Sequence, residues 1–112
     1  MLYGKYKTLY DRLLTITSKD NIHHDPLYTL AWGTDASFYR LVPKLVIISR
    51  NEDEVSAILR ECNSARIPVT IRAAGTSLSG QAVTDSVLLI AGNDWKGYSI
   101  NEDSSEITLQ PG

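Results

Sequence analysis

The sequence predicts an α/β fold built on a small, mostly parallel sheet with flanking helices. Three observations carry this reading. Short β-branched runs bounded by breakers recur at Leu45-Val46-Ile47-Ile48, Ile67-Pro68-Val69-Thr70-Ile71 and Val87-Leu88-Leu89-Ile90, as buried strands do. Between the first two lies a stretch with helical periodicity and strong start signals. Between the last two lies Arg72-Ala73-Ala74-Gly75-Thr76-Ser77-Leu78-Ser79-Gly80-Gln81, whose side chains are too small to make a core and too numerous for a tight turn. The order is strand, helix, strand, loop, strand, and the helix suits a crossover between two parallel strands.

From the N-terminus, Tyr6, Leu9, Tyr10 and Leu13 fall at i, i+3, i+4 and i+7, which predicts an amphipathic helix from Tyr3 to Thr17. Ser18-Lys19-Asp20-Asn21 ends it, and a second, shorter helical turn is expected from Leu27 to Trp32. Residues 1–40 are read as a helical extension whose apolar stripe packs either on the domain that follows, residues 41–112, or on a domain outside this chain. His23-His24-Asp25 is read as a solvated loop. Adjacent histidines diverge on most backbones, and no further Cys or His stands at ligand spacing, so no metal site is expected.

The central helix is expected over residues 52–65. Asn51 is its N-cap, Glu54 stands three residues later, and Glu52 and Asp53 lie in the first turn, where acids complement the helix dipole. Val55, Ile58, Leu59 and Cys62 define one apolar face that should be buried. On that face Cys62 is a small core residue, not a nucleophile. Strands 45–48, 69–72 and 87–90 should form one sheet, the first two parallel.

That topology puts the small-residue loop at the C-terminal end of a strand, where open α/β sheets bind ligands. Its chemistry is bare backbone: several N–H groups open to close approach, with the hydroxyls of Thr76, Ser77 and Ser79. Such loops form concave anion sites. Gly75 and Gly80 have Walker-loop spacing, but Gln81-Ala82 follow where that motif requires Lys and Ser/Thr. The loop is not G-x-G-x-x-G either. Arg72 is read as either a phosphate partner or a bridge to an acid, Asp35 or Asp85, while Asp35 and Ser37 cap a turn.

At these residues the chain resembles a known family. Pro43 ahead of the first strand, Asn51-Glu52-Asp53-Glu54-Val55 at the helix start, and Pro68-Val69 leading into Arg72-Ala73-Ala74-Gly75-Thr76-Ser77-Leu78-Ser79-Gly80 resemble the first subdomain of a PCMH-type FAD-binding domain. This is the fold of vanillyl-alcohol oxidase, glycolate oxidase and D-lactate dehydrogenase. Gly33-Thr34-Asp35-Ala36-Ser37-Phe38-Tyr39-Arg40 is similar to the D-lactate dehydrogenase and glycolate oxidase branch, in which long bacterial members carry an iron–sulfur domain. For Asp35 the resemblance implies, as the alternative to a turn cap, that it shapes the pocket entrance.

The resemblance implies an FAD cofactor whose pyrophosphate the loop wraps. The implied cofactor-binding residues are Pro43, Arg72, Ala73, Ala74, Gly75, Thr76, Ser77, Gly80, Gln81, Pro111 and Gly112. Ala73 and Ala74 stand where many relatives have glycine. Alanine is poorly suited to positive φ, so both should adopt ordinary negative values and leave Gly75 as the strained position. The resemblance also implies oxidation of a small 2-hydroxy acid by hydride transfer to flavin. The catalytic acid and base, the electron acceptor and any iron–sulfur cluster would lie in segments beyond this chain. Ile107-Thr108-Leu109 starts a strand just before Pro111-Gly112, which is expected of a fragment.

Composition fits these expectations. With 43% hydrophobic and 21% charged residues, the chain reads as one modest globular core. A net charge of −2 gives no basic field for nucleic acid. No apolar run approaches a membrane span, and Met1-Leu2-Tyr3-Gly4-Lys5 does not open a signal peptide. The single cysteine suits a reducing cytoplasm, with peripheral membrane attachment of a longer protein left open. Two alternatives stand beside the main reading: a flavoprotein of the same fold with another substrate, and a non-catalytic phosphate- or nucleotide-binding module.

Overall fold

The computed structural model describes residues 2–111. Helix α1 (Gly4–Leu13), a 3-10 turn (Lys19–Asn21), β1 (Ile22–His23) and α2 (Pro26–Ala31) precede β2 (Leu45–Ser49), α3 (Glu52–Ser64), β3 (Val69–Arg72) and β4 (Val87–Ala91). A hairpin of β5 (Tyr98–Ile100) and β6 (Ile107–Leu109) follows. The main sheet has the order β1-β2-β4-β3.

The three expected strands do share one sheet. β2 and β3 run in the same direction, but they are not neighbours, because β4 lies between them and pairs in parallel with both. Composition explains the placement. All five residues of β4, Val-Leu-Leu-Ile-Ala, are buried, which suits a central strand covered on both faces. β3 carries Thr70 and Arg72, is only partly buried, and takes the edge. β1 adds an antiparallel edge through Ile22 and His23. Two residues are too few to leave an alternating pattern in the sequence.

The period-2 alternation of β2 and β4 sorts the core into two faces. Leu45, Ile47, Val87 and Leu89 join Leu9, Leu13, Ile58 and Cys62, so α1 and α3 cover that face. Val46, Leu88 and Ile90 point the other way and meet Tyr28 and Trp32 at α2. The stripe of α1 thus packs into the same core as the strands, and Tyr6 shares a hydrogen bond of 2.9 Å with Ser86.

α3 begins as its signals require, with Asn51 Oδ1 accepting from Glu54 N at 2.9 Å. Its expected buried face needs one correction. Ile58 and Cys62 are buried and Val55 is partly so, but Leu59 is 37% exposed. The buried line runs through Glu54, Ile58 and Cys62, spaced i, i+4 and i+8, which swings Leu59 to the solvent edge. Glu54 tolerates burial because its carboxylate accepts from the Arg50 backbone N–H and guanidinium. Of the expected solvated loop His23-His24-Asp25, His24 and Asp25 are exposed, while His23 belongs to β1 and is half-buried. His23 stacks on Tyr28 with centroids 3.8 Å apart, and His24 meets the Tyr10 ring edge-on. Among the described residues there is no cluster of metal-ligating groups, and no helix is long and apolar enough to cross a membrane.

Candidate functional site

Because β2, β3 and β4 are parallel, their C-terminal ends open on one edge of the sheet. A groove of about 460 Å³ lies there, lined by Trp32, Ile48, Ala73, Ala74, Ile90, Ala91, Gly92, Asn93, Asp94 and Lys96. The loop after β3 forms one wall. Trp32 and the Asn93–Lys96 turn carry no sequence signal for this role. Trp32 reaches the groove only because α2 crosses the opposite face of the sheet, and no spacing reveals that.

The loop offers free donors, as its composition suggests. No described residue accepts from the N–H groups of Ala74, Gly75, Thr76 or Ser77. The hydroxyls divide. Thr76 is exposed and makes no hydrogen bond among the described residues, whereas Ser77 Oγ is committed within the loop. It accepts from Ser79 N at 3.3 Å and Gln81 N at 3.2 Å and donates to Gln81 Oε1. Gln81 thereby closes the loop on Ser77.

Ala73 and Ala74 keep negative φ, and Gly75 has φ +74°. Gly80, with φ +78°, is a second left-handed position, which the sequence alone does not distinguish. Both glycines also make close approaches. A Cβ on Gly75 would overlap the Arg72 guanidinium, and one on Gly80 would stand 2.9 Å from Tyr39 Cδ2.

Arg72 lies beneath the loop. Its Nη1 donates to Thr34 O at 2.7 Å and Ala82 O at 3.2 Å, and Nη2 reaches Ala74 O at 3.5 Å. The guanidinium sits over the Trp32 ring, 5.0 Å from its centroid, close enough for a cation–π contact. Nε is buried without a partner among the described residues, which costs roughly 1–3 kcal/mol. Burial draws the Arg72 pKa below the ordinary arginine value, and the charge of Asp35 opposes that. Of the two bridging acids, Asp85 is excluded by topology, since it precedes β4 at the opposite end of the sheet, where its carbonyl accepts from Lys44. Asp35 is near, but among the described residues no direct ion pair joins it to Arg72.

Asp35 does cap a turn. Oδ1 accepts from Ser37 N at 2.8 Å and from the Ser37 hydroxyl, and Oδ2 accepts from Ala82 N at 3.3 Å. The Ser37 hydroxyl above all holds this carboxyl below its usual range. Beside it, Ala36 N donates to Gly75 O at 3.0 Å.

Arg72, Ala73, Ala74, Gly75, Thr76, Ser77, Gly80 and Gln81 are thus brought together. Pro43 is not among them. It is buried at the N-terminal end of β2, beside a separate groove of about 360 Å³ with His24 and Lys44. Pro111 lies in a third groove, between the hairpin and the start of α3. Gly112 lies outside the described residues.

Comparison with known proteins gives the family and the fold. Residues 43–112 match a family described as "FAD binding domain". Glycolate oxidase subunit GlcD of Bacillus subtilis (strain 168) is 29% identical over 109 residues, covering 95% of this chain and 23% of the relative. The subunit of the same name from Escherichia coli (strain K12) is 38% identical over 78 residues, covering 68% of this chain and 16% of the relative. The chain therefore spans a quarter or less of the length of these curated relatives. Among solved structures, alkyldihydroxyacetonephosphate synthase superposes with a TM-score of 0.75 at 11% identity, covering 89% of this chain and 21% of that one. p-Cresol methylhydroxylase does so with a TM-score of 0.63 at 11% identity, covering 80% and 19%. These two likenesses concern the fold.

Proposed function

Because the chain belongs to the FAD-binding domain family, we propose that its loop holds the FAD pyrophosphate in an oxidoreductase acting on a small 2-hydroxy acid of the glycolate or D-lactate type. The observation that carries the reading is the set of unpaired N–H groups of Ala74, Gly75, Thr76 and Ser77 at the C-terminal end of β3. They fit an anionic group, since backbone N–H donors in a concave loop hold negative charge without a lysine. Gly75 keeps that backbone bare. When bound, FAD supplies the redox chemistry by taking a hydride from the substrate carbon. This chain's residues bind and orient. Ser77 and Gln81 fix the shape of the loop, Thr76 offers a free hydroxyl, and Trp32 with Ala73 walls the groove on its apolar side.

On this reading residues 41–112 face the cofactor, helix α1 braces the sheet from behind through Leu9 and Leu13, and Trp32 and the Asp35 segment reach round to the groove and the loop. The glycolate oxidase subunits support the substrate class, and the acid and base that act on it belong to residues outside this chain. Ligand competition tests the loop. FAD and ADP should displace one another, because they share a diphosphate, whereas riboflavin, which has none, should not compete. Equal competition by riboflavin would move the site away from the loop. In the assembled enzyme, anaerobic glycolate or D-lactate should bleach the flavin absorbance; bleaching by neither would remove the substrate class.

A further inference from the structure

Ala82 is gripped through both of its backbone groups. Its N–H donates to Asp35 Oδ2 at 3.3 Å and its carbonyl accepts from Arg72 Nη1 at 3.2 Å. The same Arg72 nitrogen reaches Thr34 O at 2.7 Å, and Ala36 N holds Gly75 O at 3.0 Å. The segment around Asp35 is therefore stitched to both the start and the end of the loop.

From this geometry we infer that Asp35 and Arg72 are positioning residues: a clasp that sets the loop's shape before ligand arrives, with the guanidinium spent on main-chain carbonyls instead of phosphate. The inference rests on the proposed role of the loop, which it deepens. Arg72 is a natural phosphate partner by residue type, because its guanidinium pairs readily with phosphate oxygens. Here Nη1 and Nη2 already reach carbonyls in three segments, at Thr34, Ala74 and Ala82, while Nε is buried without a partner among the described residues. Asp35 cannot contact a phosphate favourably, since both would be anions, yet it holds the loop's last peptide. Lysine offers a point charge in place of a planar fork, so it should not span those carbonyls.

The test uses the full 112-residue chain with two readouts, FAD affinity as a function of salt and amide hydrogen exchange without ligand. Arg72→Met and Asp35→Ala should each weaken FAD binding about tenfold. The salt dependence of the Arg72→Met variant should match that of the parent, because a direct ion pair with phosphate is what salt would screen. Without FAD, exchange at the Ala36 and Ala82 amides should quicken in both variants while Leu88 and Leu89 in β4 stay protected. Arg72→Lys should not restore affinity. Asp35→Asn, which keeps one acceptor oxygen and the same shape, should restore part of it and serves if Asp35→Ala does not fold. A flattened salt dependence in Arg72→Met would place the guanidinium on the phosphate and overturn the clasp, as would unchanged exchange at Ala82. If the parent chain bound no FAD even at about millimolar concentration, the proposed role of the loop would fall, and the exchange measurement would still decide the clasp.

Discussion

Gly75 combines two constraints, of which only one is written in the local sequence. Its positive φ is legible there, because alanines on its N-terminal side leave it as the natural left-handed position. The pinned Arg72 guanidinium, which occupies the space a Cβ would need, is not, since nothing local says which side chain passes beneath a loop. In the assembled enzyme, Gly75→Val should therefore abolish FAD incorporation while the sheet stays folded. The branched side chain disfavours φ > 0 and forces Arg72 off its carbonyls. Flavin absorbance and circular dichroism together check this, and normal flavin binding by a folded variant would take the loop out of the cofactor site. Asp35 gives a pH prediction. Its folded pKa lies below the unfolded value, so its contribution to stability is present above about pH 3.9 and is lost as pH falls through the lower folded value. A carboxyl-carbon NMR titration should find its midpoint below that of an unfolded aspartate. Cys62 behaves oppositely: burial pushes its thiol up to about 11, so it should resist alkylation at pH 8 until the chain is denatured.

Helix α3 shows how far periodicity carries. Its start is legible to the residue because capping chemistry is local: Asn51 and Glu54 need only each other and the first turn. Its buried face is legible to within one position. Periodicity contains no crossing angle against the sheet, and that angle chooses Glu54 over Leu59 for the interior. Substitution separates the two stripes. Ile58, fully buried, should cost about 2–5 kcal/mol when changed to alanine. Leu59→Ala, at the exposed edge, should cost less than about 1 kcal/mol. Urea unfolding with comparison of midpoints checks both, and equal losses would restore Leu59 to the core. The strand order is less accessible. β4 sits in the middle because it is apolar throughout, but the consecutive pairing of 45–48 with 69–72 is the simpler inference until burial is known.

Beyond these elements, the hairpin and the groove both present apolar surface to solvent. Tyr98 pairs with Leu109 and Ile100 with Ile107, so alternation puts four large side chains on one face, and all four are more than half exposed. The loop beside the groove is similarly open: Ala74 in the groove wall is exposed, as are Thr76 and Leu78 further along. That openness bounds the affinity for FAD. Each hydrogen bond from an N–H to a charged phosphate contributes roughly 1.5–3 kcal/mol, so the four free donors of the loop supply roughly 6–12 kcal/mol. Association costs roughly 4–15 kcal/mol before the loop is ordered, which leaves little surplus. What would raise it is burial of the isoalloxazine ring, at roughly 25 cal/mol per Å², and no wall stands over the exposed side of the groove among the described residues. The 112-residue chain should therefore purify colourless and bind FAD at micromolar concentration or more weakly. Flavin fluorescence during titration, read at two chain concentrations, also reports whether the hairpin face drives self-association. A yellow chain loaded one to one would mean that the ring finds its apolar cover within these residues, and the weak-binding argument would fail at that step.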